Sequence, residues 1–166
     1  QRLFGLIKKK ALMIKINVVL NNIIWKKYLK NPNNFIDKHL KLINKKNNQF
    51  KNKTLICTLL LSDSYEIKRL NKKFRKKNKS TDILSFPFYE RNKLNQKIKL
   101  EKEIYLGDII INLKKIKYKN DKIKFNEELN KLWIHGLVHL FGYKHKNDKD
   151  FHKMKKIEEK YLSYIN

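Results

Sequence analysis

The 166-residue chain carries one cysteine, Cys57, two prolines and four glycines. A lone cysteine excludes an intrachain disulfide and a cysteine-built zinc site. So little Gly and Pro excludes a collagen-like or Pro/Gly-rich disordered chain. The longest apolar run, residues 55–61, falls far short of the roughly 18 residues of a membrane helix, so a spanning protein and a membrane partner are excluded. Acidic residues are scarce: 15 Asp and Glu stand against 41 Lys and Arg, a net charge of +26. There is no internal repeat and no linker, and the length suits a single domain. With 41% hydrophobic residues the chain can bury a real core.

The positive charge has two competing explanations. Of the basic residues 37 are Lys and only four are Arg (Arg2, Arg69, Arg75 and Arg91). Lys, Asn and Ile together make 77 of 166 residues, and all three have A/T-rich codons. Nucleotide bias and nucleic-acid binding account for the excess equally well. Either way a polyanion is drawn to the surface, and salt weakens the attraction. Near the N-terminus Lys8, Lys9 and Lys10 precede a strand-like MIKINVVL, not the apolar stretch and small-residue end of a secretory signal. Residues 1–12 therefore read as an N-terminal extension, with Met13 as the start of a cytoplasmic domain over 13–166.

Ile14, Ile16, Val18 and Leu20 alternate as in a half-buried strand. Phe35, Ile36, Leu40 and Ile43 recur at helical spacing, predicting a helix over 34–47, then a polar loop over 45–53. Residues 55–61 fit a buried strand. Asp63 and Glu66 form a capping-box pattern for a helix with Tyr65, Ile67, Leu70 and Phe74 as its buried positions. After a loop over 76–81, residues 83–88 read as a strand that Pro87 confines to an edge or terminus. The charged stretch 89–102 reads as a surface loop or ragged hairpin, and 104–113 as a fourth strand. Asn126 is the expected N-cap of a long helix ended by Gly142, and Asp148 or Asp150 starts a last helix through Tyr164. The layout is α+β, with helices around a small mixed sheet of about four strands.

Three of the five histidines fall in the stretch HGLVHLFGYKH over 135–145. His135 and His139 lie four apart on a helix and project from one face. Gly142 permits a reversal that can bring His145 back to that face. Three imidazoles on a helix and turn suit Zn²⁺, often held at catalytic sites by three protein ligands and a water. His39 and His152 read as solvated or hydrogen-bonded, and Leu129, Trp133, Leu137 and Leu140 as the core stripe that buries the helix. A zinc peptidase of the H-E-x-x-H kind has a Glu base after the first His, where this chain has Gly136. The ion itself must then lower the pKa of its water toward ~7.

Arg75 stands at a predicted helix end before a loop and edge strand, a location that suits a substrate cleft. Its rigid fork can grip two phosphate oxygens; a solvated helix-end Arg is the plainer alternative. Lys72, Lys73, Lys76, Lys77 and Lys79 around it could track a phosphate backbone. Gly107 interrupts the fourth strand, which suggests a bulge or close backbone approach. Asp108 could orient a ligand His or pair with a lysine.

These stretches resemble the YbeY family, bacterial rRNA maturation factors with single-strand-specific endoribonuclease activity. Its C-terminal signature, H-G-x-L-H-L-x-G-Y-D-H, is met by His135, Gly136, His139, Leu140, Gly142, Tyr143 and His145. An upstream Arg followed by P-T-[DN]-V-L-S-F-P is met by Arg75, Thr81, Asp82, Leu84, Ser85, Phe86 and Pro87. Leu106, Gly107, Asp108 and Ile109 match a third segment. Lys144 replaces the usual acidic residue, Ser80 the usual Pro, and Val138 a Leu. The resemblance implies a zincin-like helix carrying one Zn²⁺ on His135, His139 and His145, and a functional Arg75. It also implies maturation of 16S rRNA 3′ ends, ribosome quality control, and as partners single-stranded ribosomal RNA, the small ribosomal subunit and its assembly factors. Lys144 adds positive charge beside the site. The alternatives are a zincin-like metallopeptidase and a non-catalytic rRNA-binding assembly factor with structural zinc.

Overall fold

The computed structural model describes residues 13–166 apart from 48, 49 and 51. The extension over 1–12 and the middle of the 45–53 loop lie outside the described residues.

Strand β1 (Ile14–Leu20) buries Ile14 and Ile16 and exposes Lys15 and Asn17, as period-two alternation demands. A 3₁₀ turn at Ile23–Lys27 drives Trp25 into the core, where its indole N–H donates to the Ser62 carbonyl at 2.9 Å. Helix α1 (Pro32–Lys46) opens with Pro32 behind an Asn31 cap and buries Ile36, Leu40 and Ile43. It returns the chain to β2 (Thr54–Ser62), which pairs parallel to β1. Helix α2 (Ser64–Arg75) leads to β3 (Ile83–Pro87), helix α3 (Arg91–Leu100) and β4 (Glu103–Asn112). The sheet order is β1-β2-β4-β3, with β4 parallel to β2 and β3 antiparallel at the edge. Pro87, without an N–H to donate, closes that edge strand.

Helices α4 (Lys122–Leu140) and α5 (Asp148–Ile165) complete the chain. The main core joins α1, α4 and α5 to one sheet face, with Leu129, Trp133, Leu137 and Leu140 all but fully buried. On the other face a smaller cluster of Ile67, Leu84 and Ile110 sits under α2. Among the described residues no helix is long and apolar enough to cross a membrane.

Four expectations are corrected. Residues 91–100 form helix α3 because Leu94 is buried and Ile98, one turn on, packs against the same core. Helix α4 starts a turn before Asn126: the Asp121 side chain accepts the Lys124 N–H at 3.1 Å, and Phe125 is already buried against Tyr28. Tyr65 and Phe74 are exposed, since α2 covers only one corner of its face and buries little beyond Ile67 and Asn71. Asp63 caps α2 by accepting the Glu66 N–H, but Glu66 turns to Arg69 at 2.6 and 3.0 Å, so the reciprocal half of the box is replaced by an ion pair.

Candidate metal centre

Residues 133–137 of α4 show why the histidines face where they do. Gly136 lies against the sheet: a Cβ there would meet Ile109 at 2.7 Å and Ile83 at 3.1 Å. With Trp133 and Leu137 buried beside it, His135 and His139 are left on the flank, both half-buried. Gly142 stops the helix with φ +87°, a left-handed value that suits glycine. A side chain there would also strike the backbone of Arg91, so the reversal is fitted against the first turn of α3. The Arg91 guanidinium stacks on Tyr143, 3.9 Å from its ring centre, and clamps that turn.

The reversal brings in His145. The three ring centres lie 4.6, 5.0 and 5.8 Å apart, and one nitrogen from each falls within 4.8 Å of the others. Two of the rings are oriented from behind. The Glu158 carboxylate on α5 accepts from His135 Nδ1 at 2.6 Å. The Tyr143 carbonyl accepts from His139 Nδ1 at 2.9 Å. Both protons therefore sit on Nδ1 and both Nε2 atoms present lone pairs. These Nε2 atoms face each other at 3.1 Å. Two acceptors that close need a shared proton or a cation. Burial lowers the pKa of His139 to about 4 despite the Tyr143 carbonyl, so a proton added to that ring is disfavoured at neutral pH. Two imidazole nitrogens on one tetrahedral zinc stand roughly 3.3 Å apart, given Zn–N bonds of roughly 2.0–2.1 Å. The donor set fits a divalent ion of that kind.

Arg75 is not part of this cluster. It ends α2, exposed, and its guanidinium reaches the edge strand β3, where it donates to the Ser85 carbonyl at 2.9 Å. Lys72, Lys73, Lys76, Lys77 and Lys79 are exposed around it. Lys76 caps α2 in the left-handed region at φ 57°. Asp108 serves neither of its expected partners: its carboxylate accepts the Tyr105 hydroxyl at 2.6 Å. Gly107, at φ +132°, sits where β4 bulges against β2, and a Cβ would collide with the Phe86 carbonyl, so both expectations for it hold. His39 donates from Nδ1 to the Phe35 carbonyl one turn back at 2.7 Å, and His152 is exposed. Lys144 points away to Glu90 at 3.0 Å.

The carboxylate behind the site, Glu158, escaped the sequence reading, although it lies between Met154 and Tyr161 on the buried stripe of α5. A carboxylate on an apolar stripe is the signal that could have found it.

Fold and site together define an α+β protein with a candidate three-histidine metal centre. A family model described as endoribonuclease YbeY matches residues 20–166, and the chain belongs to that family. It is 44% identical over 155 residues to the endoribonuclease YbeY of Pelagibacter ubique (strain HTCC1062), covering 92% of this chain and 97% of that one. It is 39% identical over 115 residues to that of Buchnera aphidicola subsp. Acyrthosiphon pisum, covering 67% and 68%. The solution structure of TM1509 from Thermotoga maritima aligns with a TM-score of 0.55 at 26% identity, covering 91% of this chain and 89% of that one.

Proposed function

We propose that the protein is a zinc-dependent, single-strand-specific endoribonuclease of the cytoplasm. Its proposed task is 16S rRNA 3′-end maturation and ribosome quality control, in contact with the small ribosomal subunit and its assembly factors. The observation that carries the metal reading is the pair of Nε2 lone pairs facing at 3.1 Å with His145 alongside. Family membership and the YbeY relatives support RNA as the substrate.

His135, His139 and His145 would hold the ion. When bound, it supplies Lewis acidity toward the phosphodiester and a hydrolytic water ionised near neutral pH. Glu158 and the Tyr143 carbonyl keep the two half-buried rings turned inward, so no ligand is lost to rotation. Arg75 spends one donor on Ser85 and keeps the others of its fork for phosphate oxygens. Lys72, Lys76 and Lys77 attract the strand. Gly136 speaks against a zincin-like peptidase: the Glu base has no place in the space closed by Ile109 and Ile83.

The test is cleavage of a labelled single-stranded RNA beside a peptide panel, with zinc, with chelator, and with His139→Ala. RNA cut only with zinc, and not by the variant, is the expected outcome. Peptide cleavage, or RNA cleavage that survives the chelator, overturns the proposal. Arg75→Ala should keep the zinc and lose about 10²-fold or more in single-turnover rate. An unchanged rate removes Arg75 from the chemistry and leaves the assembly-factor alternative open.

A further inference from the structure

Large apolar rings are normally buried, yet several lie open along one edge of the sheet, on the face away from α4. Phe74 at the end of α2 is 58% exposed and Phe88 after β3 is 64% exposed. They are not scattered. Phe74 meets Phe86 edge-on at 5.3 Å, and Phe88 meets Tyr89 at 4.9 Å and Tyr105 at 6.1 Å. Phe86 and Phe88 are two residues apart on one strand line, since the Phe88 N–H still pairs with the Leu106 carbonyl of β4. Two ring groups, Phe74 with Phe86 and Phe88 with Tyr105, thus follow one another along the strand line from α2 past β3 to β4. Cations flank it: Lys73 lies 5.2 Å from the Phe74 ring centre and Arg75 5.7 Å from Phe86. Asp108, the carboxylate beside the row, is already engaged by the Tyr105 hydroxyl.

We propose that this row, Phe74–Phe86–Phe88–Tyr105, is a stacking platform for the unpaired bases of single-stranded RNA, with Lys73 and Arg75 on its phosphates. The inference rests on the RNA reading above and names how single strands are selected. Every base offers a π-face when unpaired and none when in a duplex, so exposed rings discriminate by strandedness and not by sequence. Lysines alone cannot do so, because both forms carry phosphates. The charge around the rings also argues against a second copy as occupant, since two such surfaces repel.

The test measures binding, not cleavage, so it stands apart from the metal reading. Full-length protein in chelator is titrated against a labelled mixed-sequence single-stranded RNA and its duplex, for the wild type, Phe74→Ala, Phe88→Ala, the double variant and Lys73→Gln. All three substituted positions are exposed, and circular dichroism checks the fold of each variant. Each ring removed should weaken single-strand binding at least about fivefold, with the salt slope and the duplex affinity unchanged. Lys73→Gln should reduce the salt slope for both RNAs. Equal weakening of both RNAs by the ring variants, or no weakening, overturns the platform. A wild-type dimer in sedimentation that the double variant dissolves, with RNA binding intact, assigns the row to self-association instead. Ring-dependent binding without zinc-dependent cleavage would sink the catalytic proposal and spare this one.

Discussion

Glu158 decides what His135 can do. A free imidazole turns about its bonds and trades its proton between two nitrogens; one held at 2.6 Å by a carboxylate does neither. Removing an outer carboxylate of this kind costs 10–100-fold in metal affinity. Glu158→Ala is therefore expected to weaken zinc binding by about that factor in a chelator competition, while the melting temperature of the metal-free protein changes little, because the pair is partly solvated. An unchanged affinity would mean that His135 is oriented by packing alone. At this scale the clustering of the candidate ligands was legible: His135 and His139 share a helix face by arithmetic, and Gly142 marked the turn that returns His145. Glu158 was not, because 23 residues separate it from His135 and only the packing of α5 on α4 closes the distance.

Helix α3 shows how local sequence misleads at the scale of an element. Its stretch is charged and short, and its one fully buried side chain is Leu94. Yet it backs the turn between His139 and His145, with Arg91 against Gly142 and Tyr143. Leu94→Ala should cost about 2–4 kcal/mol in urea unfolding, the range for a truncated core leucine. It should also loosen zinc binding through the turn. A loss below about 0.5 kcal/mol is what a surface loop would give. The early start of α4 has the same origin: Lys122 and Lys124 hide the helical period, and Asp121 and Phe125 restore it only once Tyr28 is in place. The strands were easier, because alternation and Pro87 speak at short range.

For the whole molecule, charge and burial pull stability in opposite directions as pH rises. Burial pushes the Cys57 thiol up to about 12, with Asp108 adding to it, and the Tyr161 phenol up to about 12. The unfolded chain loses these protons first, near pH 9 and 10. The native state then binds more protons than the unfolded one, so stability present below pH 9 is lost as pH climbs toward 12. Deprotonation of the many lysines acts the other way by relieving repulsion. Comparison with Cys57→Ala cancels that effect. The stability gap between wild type and variant should shift against the wild type above pH 9, by up to about 1.4 kcal/mol per pH unit, in denaturant midpoints. A pH-independent gap would show that Cys57 ionises freely in the fold.

Periodicity and residue type settled what depends on neighbours in the chain: the strand alternation, the shared face of His135 and His139, the turn at Gly142, the edge position of β3. Those follow from backbone geometry, which acts over a few residues. The tertiary structure alone decided which side chains meet across it. It set Glu158 behind His135, Arg91 against the turn at Gly142, and Arg75 against the edge strand at Ser85. Such meetings depend on how helices pack against a sheet, and packing is a property of surfaces brought together, which no local period records.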